Sequence, residues 1–287
     1  MGQNGSGNGH GNGQVNGNGN GGCVGANLAY TKFLFVIPRQ DDEASGTRLR
    51  AAGGNIARGF FNDFDIDDSR ESQAQPFETI QFFVREGEMP TPEPTCVGPC
   101  INKARYVAQV CSKYRPRLRE IDGELRRRLG ETADVLSLAG AVRNPRYSSP
   151  EMVQYANRNA PLRRSGRVAR NAIIVPVRKT EAWWQMTALE RHSYFYPHVD
   201  RGSGCPVKGH AKAAEPGIAT LFRRMYHHPD GYQIENEFDF ITYFECEDEH
   251  LPVFDGVLEN LRDPQQNPEW RFVQEGPIWR GKRVLRW

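Results

Sequence analysis

The chain has 287 residues, with 37 Lys and Arg against 35 Asp and Glu, for a formal net charge of +2. That length supplies a sizeable core and predicts two domains of roughly 100–200 residues each. The near balance of charge recommends neither a nucleic-acid partner nor a disordered acidic chain, and no run of 18 apolar residues announces a membrane span.

Residues 1–22 are almost all Gly, Asn and Gln. Such a tract buries too little to offset its ordering entropy, so a disordered tail is expected over 1–27. No apolar signal-peptide core is present, which gives a cytoplasmic expectation. Residues 32–38 then read as a strand, 48–61 as a helix weakened by glycines, and 80–84 as a second strand. A Pro- and Glu-rich loop follows over 88–99. Residues 101–129 read as mostly helical, with Leu118, Ile121, Leu125 and Leu129 on one face and Pro116 kinking or dividing the segment. Residues 135–142 form a strand, and 144–170 a long polar connection.

In the second half, 172–177 is a strand, 184–192 starts helically, 198–209 is a loop and 209–220 a helix disturbed by Pro216-Gly217. Strands at 221–227 and 238–246 flank a turn at Pro229-Asp230-Gly231. A helix at 249–261 and strands at 270–273 and 279–285 close the chain. This β-α-β-β-α-β order matches a ferredoxin-like unit, and the first half fits the same unit less closely. The expected class is therefore α+β, with two ferredoxin-like units over 28–165 and 166–287 packed through their sheets.

Six cysteines occur: Cys23, Cys96, Cys100, Cys111, Cys205 and Cys246. Only Cys96 and Cys100 are close. They lack the Cys-x-x-Cys-His form of covalent haem attachment, and no second pair completes a zinc set. A disulfide or weak metal site stays open for that pair, beside ordinary reduced thiols. The arginine-dense stretches at 115–128 and 163–170 read as solvated faces with Asp and Glu nearby, a polyanion site being the alternative.

Alternation on the two strands is more telling. Arg223, Met225 and His227 share one face of 221–227; Phe240, Thr242 and Phe244, joined by Phe238, share one face of 238–246. A short connection should pair these strands antiparallel. The product is an apolar wall with one arginine. Such a wall suits a flat macrocycle, and a lone cation suits an anion. It equally describes a sheet face packed on helices with Arg223 at its edge.

Residues 179–269, about a third of the chain, resemble the haem-binding half of the chlorite dismutase family. The resemblance begins just before that stretch, at Val175-Pro176-Val177-Arg178-Lys179. It continues through Trp183-Trp184-Gln185-Met186, Glu190-Arg191, His210, Arg223-Arg224-Met225-Tyr226-His227 and Asp239-Phe240-Ile241-Thr242-Tyr243-Phe244-Glu245. The last two motifs together are specific; the Trp pair alone is weak. The resemblance implies a dimeric α+β barrel type of fold and one haem b, with its iron, on His210, thirteen residues before Arg223. It makes Arg223 the catalytic distal arginine and places Met225, Thr242 and Phe244 in the distal pocket. Lys179 would meet a haem propionate, Trp183 and Trp184 would pack beside the haem, and Glu269 would accept a hydrogen bond from the ligand histidine.

The implied reaction is chlorite to chloride and dioxygen through a ferryl intermediate, with Arg223 holding a transient anion. The resemblance also implies a homo-oligomer, a pentamer for a long chain, and a small anionic substrate with no nucleic-acid or membrane partner. Twelve extra residues separate Trp184 from His210 relative to the family. Counting from the Trp pair would select His198, whereas the spacing to Arg223 selects His210. Cys205, in the insertion, is expected to cap a loop. The family's coproheme decarboxylases carry a tyrosine where this chain has Val175. A peroxidase-like or tailoring oxidase for a small organic or nitrogen-containing substrate, and a haem carrier or sensor, are the alternatives.

Overall fold

The computed structural model describes residues 30–40, 43–60, 78–86, 100–142, 169–284 and 287. The expected tail, the 88–99 loop, most of the 144–170 connection, Cys23 and Cys96 lie outside the described residues.

The first half contains β1 (Tyr30–Pro38), α1 (Glu43–Phe60), β2 (Glu78–Val84), β3 (Tyr106–Ser112), α2 (Arg115–Leu129) and β4 (Ala133–Ala141). The second half opens with β5 (Asn171–Lys179), α3 (Glu181–Gln185) and α4 (Ala188–Ser193). A hairpin of β6 (His198–Val199) and β7 (Pro206–Val207) and then α5 (Gly209–Ala214) follow. It closes with β8 (Phe222–His227), β9 (Phe240–Cys246), α6 (Leu251–Arg262), β10 (Val273–Glu275) and β11 (Trp279–Val284).

Each half is an antiparallel β-α-β-β-α-β unit, with strand order β2-β3-β1-β4 in one and β11-β5-β9-β8 in the other. The units pack through the inner faces of their sheets, as expected, with Phe33 and Phe83 of one against Tyr243 of the other. They also join edge to edge, β4 to β8 at Ala141↔His227 and β11 to β2 at Lys282↔Val84 through Val284↔Phe82. Among the described residues this closes one barrel of eight strands and leaves neither unit an unpaired edge. Glycine is needed at Gly140, beside the first seam, because a Cβ there would lie 2.5 Å from Tyr226 Cβ.

Side chains from both units fill the barrel, among them Phe33, Phe35, Phe83, Tyr226, Tyr243 and Trp279. A buried ion pair sits in this interior: Arg283 Nη2 lies 2.6 Å from Glu245 Oε1, which also accepts from the Tyr243 hydroxyl at 2.7 Å. Arg283 Nη1 reaches Gln81 of β2 at 2.6 Å, so the buried charges are paired and the network crosses between the units.

Outside the barrel, Leu118, Ile121, Leu125 and Leu129 of α2 cover the N-terminal sheet as their spacing predicts. Phe254, Val257 and Leu258 of α6 cover Ile173, Val175 and Cys246. Residues 106–112, expected to be helical, are a strand instead. Val107 through Ser112 are all buried, so no two-residue alternation marks the segment. Pro116 lies in the first turn of α2, where its missing N–H costs nothing, and starts the helix rather than kinking it. Phe238 does not join the outward face of β9. The strand begins at Phe240, and Phe238 turns into the barrel core. No helix among the described residues is long and apolar enough to cross a membrane.

Candidate functional site on the outer face of the C-terminal sheet

Antiparallel register sets the wall of the site. Arg223 faces Phe244 across the β8–β9 ladder, and Met225 faces Thr242; Thr242 in turn faces Val175 of β5, and Phe240 faces Val177. Directly opposed residues share a face, so these side chains form one outer surface. Arg223, Met225, Thr242 and Phe244 are half-buried, whereas the inward Tyr226, Ile241 and Tyr243 are fully buried. Phe244 packs edge-on against Phe254 of α6 at 5.1 Å, which closes one end of the wall.

His210 enters from α5. Gly209 precedes it at φ +69°, and a Cβ there would lie 2.5 Å from the Tyr196 carbonyl oxygen. That close approach lets the His210 N–H donate to Tyr194 O and the Ala211 N–H to Phe195 O, which satisfies two of the free donors at the helix start. The Phe195 ring lies parallel to the imidazole, 5.7 Å away. Nδ1 of His210 is 3.1 Å from Glu269 Oε2, although the ring is turned out of line for a well-formed hydrogen bond.

Glu269 sits in a 3₁₀ turn, Pro268–Phe272, and its other oxygen accepts from Lys179 Nζ at 2.5 Å. The ammonium also lies 4.1 Å from the Trp183 ring centre. Burial on its own would raise the Glu269 carboxyl, but Lys179 and His210 outweigh it and hold the group well below the usual carboxylate range. Lys179, Glu269 and His210 thus form a line from the end of β5 to α5. The sequence reading sent Lys179 to a propionate; the structure places its ammonium on Glu269.

The two tryptophans make different contacts. Trp183 is fully buried against Tyr194 and Phe272, and among the described residues its indole N–H has no acceptor. Trp184 donates to Asp239 Oδ2 at 3.3 Å and stacks on Tyr232, with centroids 4.3 Å apart. Asp239, fully buried, also accepts from the backbone N–H groups of Lys179 at 2.7 Å and Gln233 at 2.6 Å. Sequence reasoning quoted Asp239 only within a motif and gave no role to Tyr232 or Phe195; none of the three belongs to a repeating pattern.

The 198–209 insertion is a β-hairpin rather than an open loop. Asp200 Oδ2 closes its turn by accepting from the Ser203 N–H at 3.0 Å and hydroxyl at 2.9 Å. Those bonds lower the Asp200 pKa. Cys205 is exposed at the end of this turn, with Sγ 3.7 Å from Ser203 O. His198 Nδ1 lies 2.8 Å from the carbonyl of Tyr196, and among the described residues no carboxylate pairs with its ring as Glu269 does with that of His210.

No protein-family model matches the chain. Solved structures do. Chlorite dismutase from Candidatus Nitrospira defluvii in complex with imidazole aligns with a TM-score of 0.59 at 18% identity, covering 89% of this chain and 91% of that one. The chain has the chlorite dismutase fold. A variant of the same Nitrospira enzyme with one arginine changed to alanine aligns at 0.60, again at 18% identity and with 89% and 91% covered. A variant with one tryptophan changed to phenylalanine, in complex with cyanide, aligns at 0.59 and 17% identity, with 89% and 90% covered.

Haem can be tested against the residues that this chlorite dismutase fold brings together. Among the described residues no group of three His, Cys, Asp or Glu side chains gathers as a cage for a bare ion. The site offers one imidazole whose Nδ1 faces a carboxylate and whose Nε2 makes no hydrogen bond or ion pair among the described residues. It also offers a half-buried apolar wall and, in Trp183, a buried indole N–H awaiting an acceptor. A macrocycle that brings its own equatorial nitrogens and carries carboxylates fits that donor set.

Proposed function

We propose that the chain is a haem b-dependent oxidoreductase of the chlorite dismutase family that converts chlorite to chloride and dioxygen. The observation that carries this reading is the Lys179–Glu269–His210 line. A buried carboxylate 3.1 Å from Nδ1 favours a proton on that nitrogen, leaves Nε2 as the ligand nitrogen and increases ligand basicity. When bound, haem supplies the redox chemistry that breaks and makes bonds to oxygen.

This chain's own residues supply the rest. His210 holds the iron. Met225, Thr242 and Phe244 confine the small reactants, while Trp183 and Trp184 pack at the rim. Arg223, always charged and forked toward oxyanions, attracts chlorite and retains a transient anion beside the wall. The test is to load the purified chain with haem, record its absorption spectrum, and follow chlorite with an oxygen electrode. A histidine-ligated spectrum with oxygen release is expected; a chain that takes up no haem overturns the reading.

Glu269, held ionised, also favours a second reading. With haem bound, the ligand basicity that Glu269 confers on His210 would serve a peroxide as well as chlorite. Haem uptake without oxygen release, but with peroxide-driven oxidation of a small organic or nitrogen-containing substrate, would select it. In either case we propose a closed ring of identical subunits, five by the family pattern. Light scattering of a monomer at micromolar concentration would rule out the ring.

A further inference from the structure

We propose that Tyr232, hydrogen-bonded to His227 and stacked on Trp184, is a redox-active tyrosine that relays single electrons between the haem site and reductants at the protein surface. The proposal rests on the haem reading above, and three independent contacts carry it. The Tyr232 hydroxyl lies 3.0 Å from His227 Nδ1. The Tyr232 ring stacks on Trp184 at 4.3 Å with an 18° tilt. The Trp184 indole N–H points at the buried Asp239 carboxylate.

Each contact has a redox meaning. A phenol holds its proton at neutral pH, with a pKa of about 10, but must shed it on losing an electron, so a base within hydrogen-bond reach decides whether it can be oxidised. His227 is that base: it is 2% exposed and held edge-on against Phe240. An indole can lose an electron before its proton, and an ionised carboxylate on its N–H stabilises the resulting cation. Trp184 is thus an easily oxidised ring, and Tyr232, half-buried like it, is its stacked neighbour.

The chain also fixes Tyr232 on both sides. Asp230, two residues before it, is gripped by both terminal nitrogens of Arg115 at 2.5 Å each. Gln233, one residue after it, is held at φ 59° by its N–H bond to Asp239. A non-glycine residue in that backbone region persists only where its surroundings enforce it.

The step balances as follows. With haem bound, a peroxide would take two electrons from the site, its oxygens ending as water. One electron then passes from Tyr232 through Trp184 to the cofactor, and the phenolic proton passes to His227 Nδ1. The products are a neutral tyrosyl radical, an imidazolium at His227 and a cofactor reduced by one electron. A small donor of the phenol or ascorbate class would return one electron to Tyr232 and His227 the proton, and a second passage of the same kind would supply the other electron that the peroxide took.

The experiment is freeze-quench electron paramagnetic resonance on the haem-loaded full chain after hydrogen peroxide, with ring-deuterated tyrosine to identify the signal. Peptide mass spectrometry then locates oxidised side chains. The expected result is a tyrosyl radical that is lost in Tyr232→Phe, which keeps the stack, with oxidation appearing at Trp184 instead. His227→Gln should diminish the radical without reducing haem content. In the haem-free chain, nitrogen-15 shifts should show His227 Nδ1 unprotonated; a protonated Nδ1 overturns the proposal. So does a haem-loaded chain without a tyrosyl signal, or one whose signal survives Tyr232→Phe. A chain that takes up no haem overturns the functional reading and the relay together, whereas haem uptake without the Tyr232 radical overturns the relay alone.

Discussion

Glu269 Oε2 lies 3.1 Å from His210 Nδ1 although 59 residues separate them in sequence. The carboxylate comes from a 3₁₀ turn after α6 and the imidazole from the first turn of α5. A buried anion at this distance makes the opposite ring nitrogen the more basic one, which is the property an iron ligand needs.

His210→Ala should therefore empty the site of haem, and His198→Ala should leave it filled. Glu269→Gln keeps the shape but removes the charge. It should weaken haem affinity or turnover by about 10–100-fold and lower the iron–histidine stretching frequency. Haem titration and resonance Raman spectroscopy read both effects. An unchanged stretch in Glu269→Gln would show that the carboxylate does not act on the ligand.

The acid limb of stability should carry the mark of the same group. Glu269 is depressed in the folded chain, so the unfolded chain binds its proton first as pH falls. Its contribution is full above the ordinary carboxylate value of about 4.3 and declines as pH drops from there toward the lower folded value. Urea unfolding of wild type and Glu269→Gln should differ most at neutral pH and converge on acidification below pH ~4. Divergence on acidification would contradict the sign.

Alternation made the wall residues legible: Arg223 and Met225, and Thr242 and Phe244, are two apart on strands that pair antiparallel. The α2 face was legible for the same reason at helical spacing. β3 was not, because both its faces are buried and its side chains carry no period. Barrel closure was not legible either, since the β4–β8 seam rests on one registered pair between residues 86 positions apart, Ala141 and His227. The partner of Lys179 was hidden likewise, 90 residues away and in an irregular turn. Single residues that act through one buried contact, such as Asp239 and Tyr232, leave no pattern to read.

Lys179 separates the observed pairing from the propionate role. Lys179→Met would strand the Glu269 carboxylate in a buried site, and removing one partner of such a pair costs about 3–5 kcal/mol. The haem-free chain should lose that stability, and adding Glu269→Gln should restore much of it. If Lys179 served only a propionate, the haem-free chain would unfold at the same urea concentration with or without the substitution.

Arg223 should control chemistry more than haem retention. It shares its outer face with Met225, opposite Phe244 and Thr242, whereas the Lys179–Glu269–His210 line enters from β5 and α5. A half-buried guanidinium at the wall attracts an anionic substrate and raises its local concentration. One charge-assisted contact is worth about 1.5–3 kcal/mol, which corresponds to roughly ten- to over a hundredfold in rate if felt in the transition state. Arg223→Ala should keep its haem and its iron–histidine stretch, bind cyanide and nitrite more weakly, release less oxygen from chlorite and bleach faster as hypochlorite escapes. Arg223→Lys should recover part of the anion binding but less of the turnover, because an ammonium is a point charge without the fork. Should Arg223→Ala lose haem instead, the guanidinium belongs to the propionates or to the scaffold, and the anion-holding role must pass to another side chain.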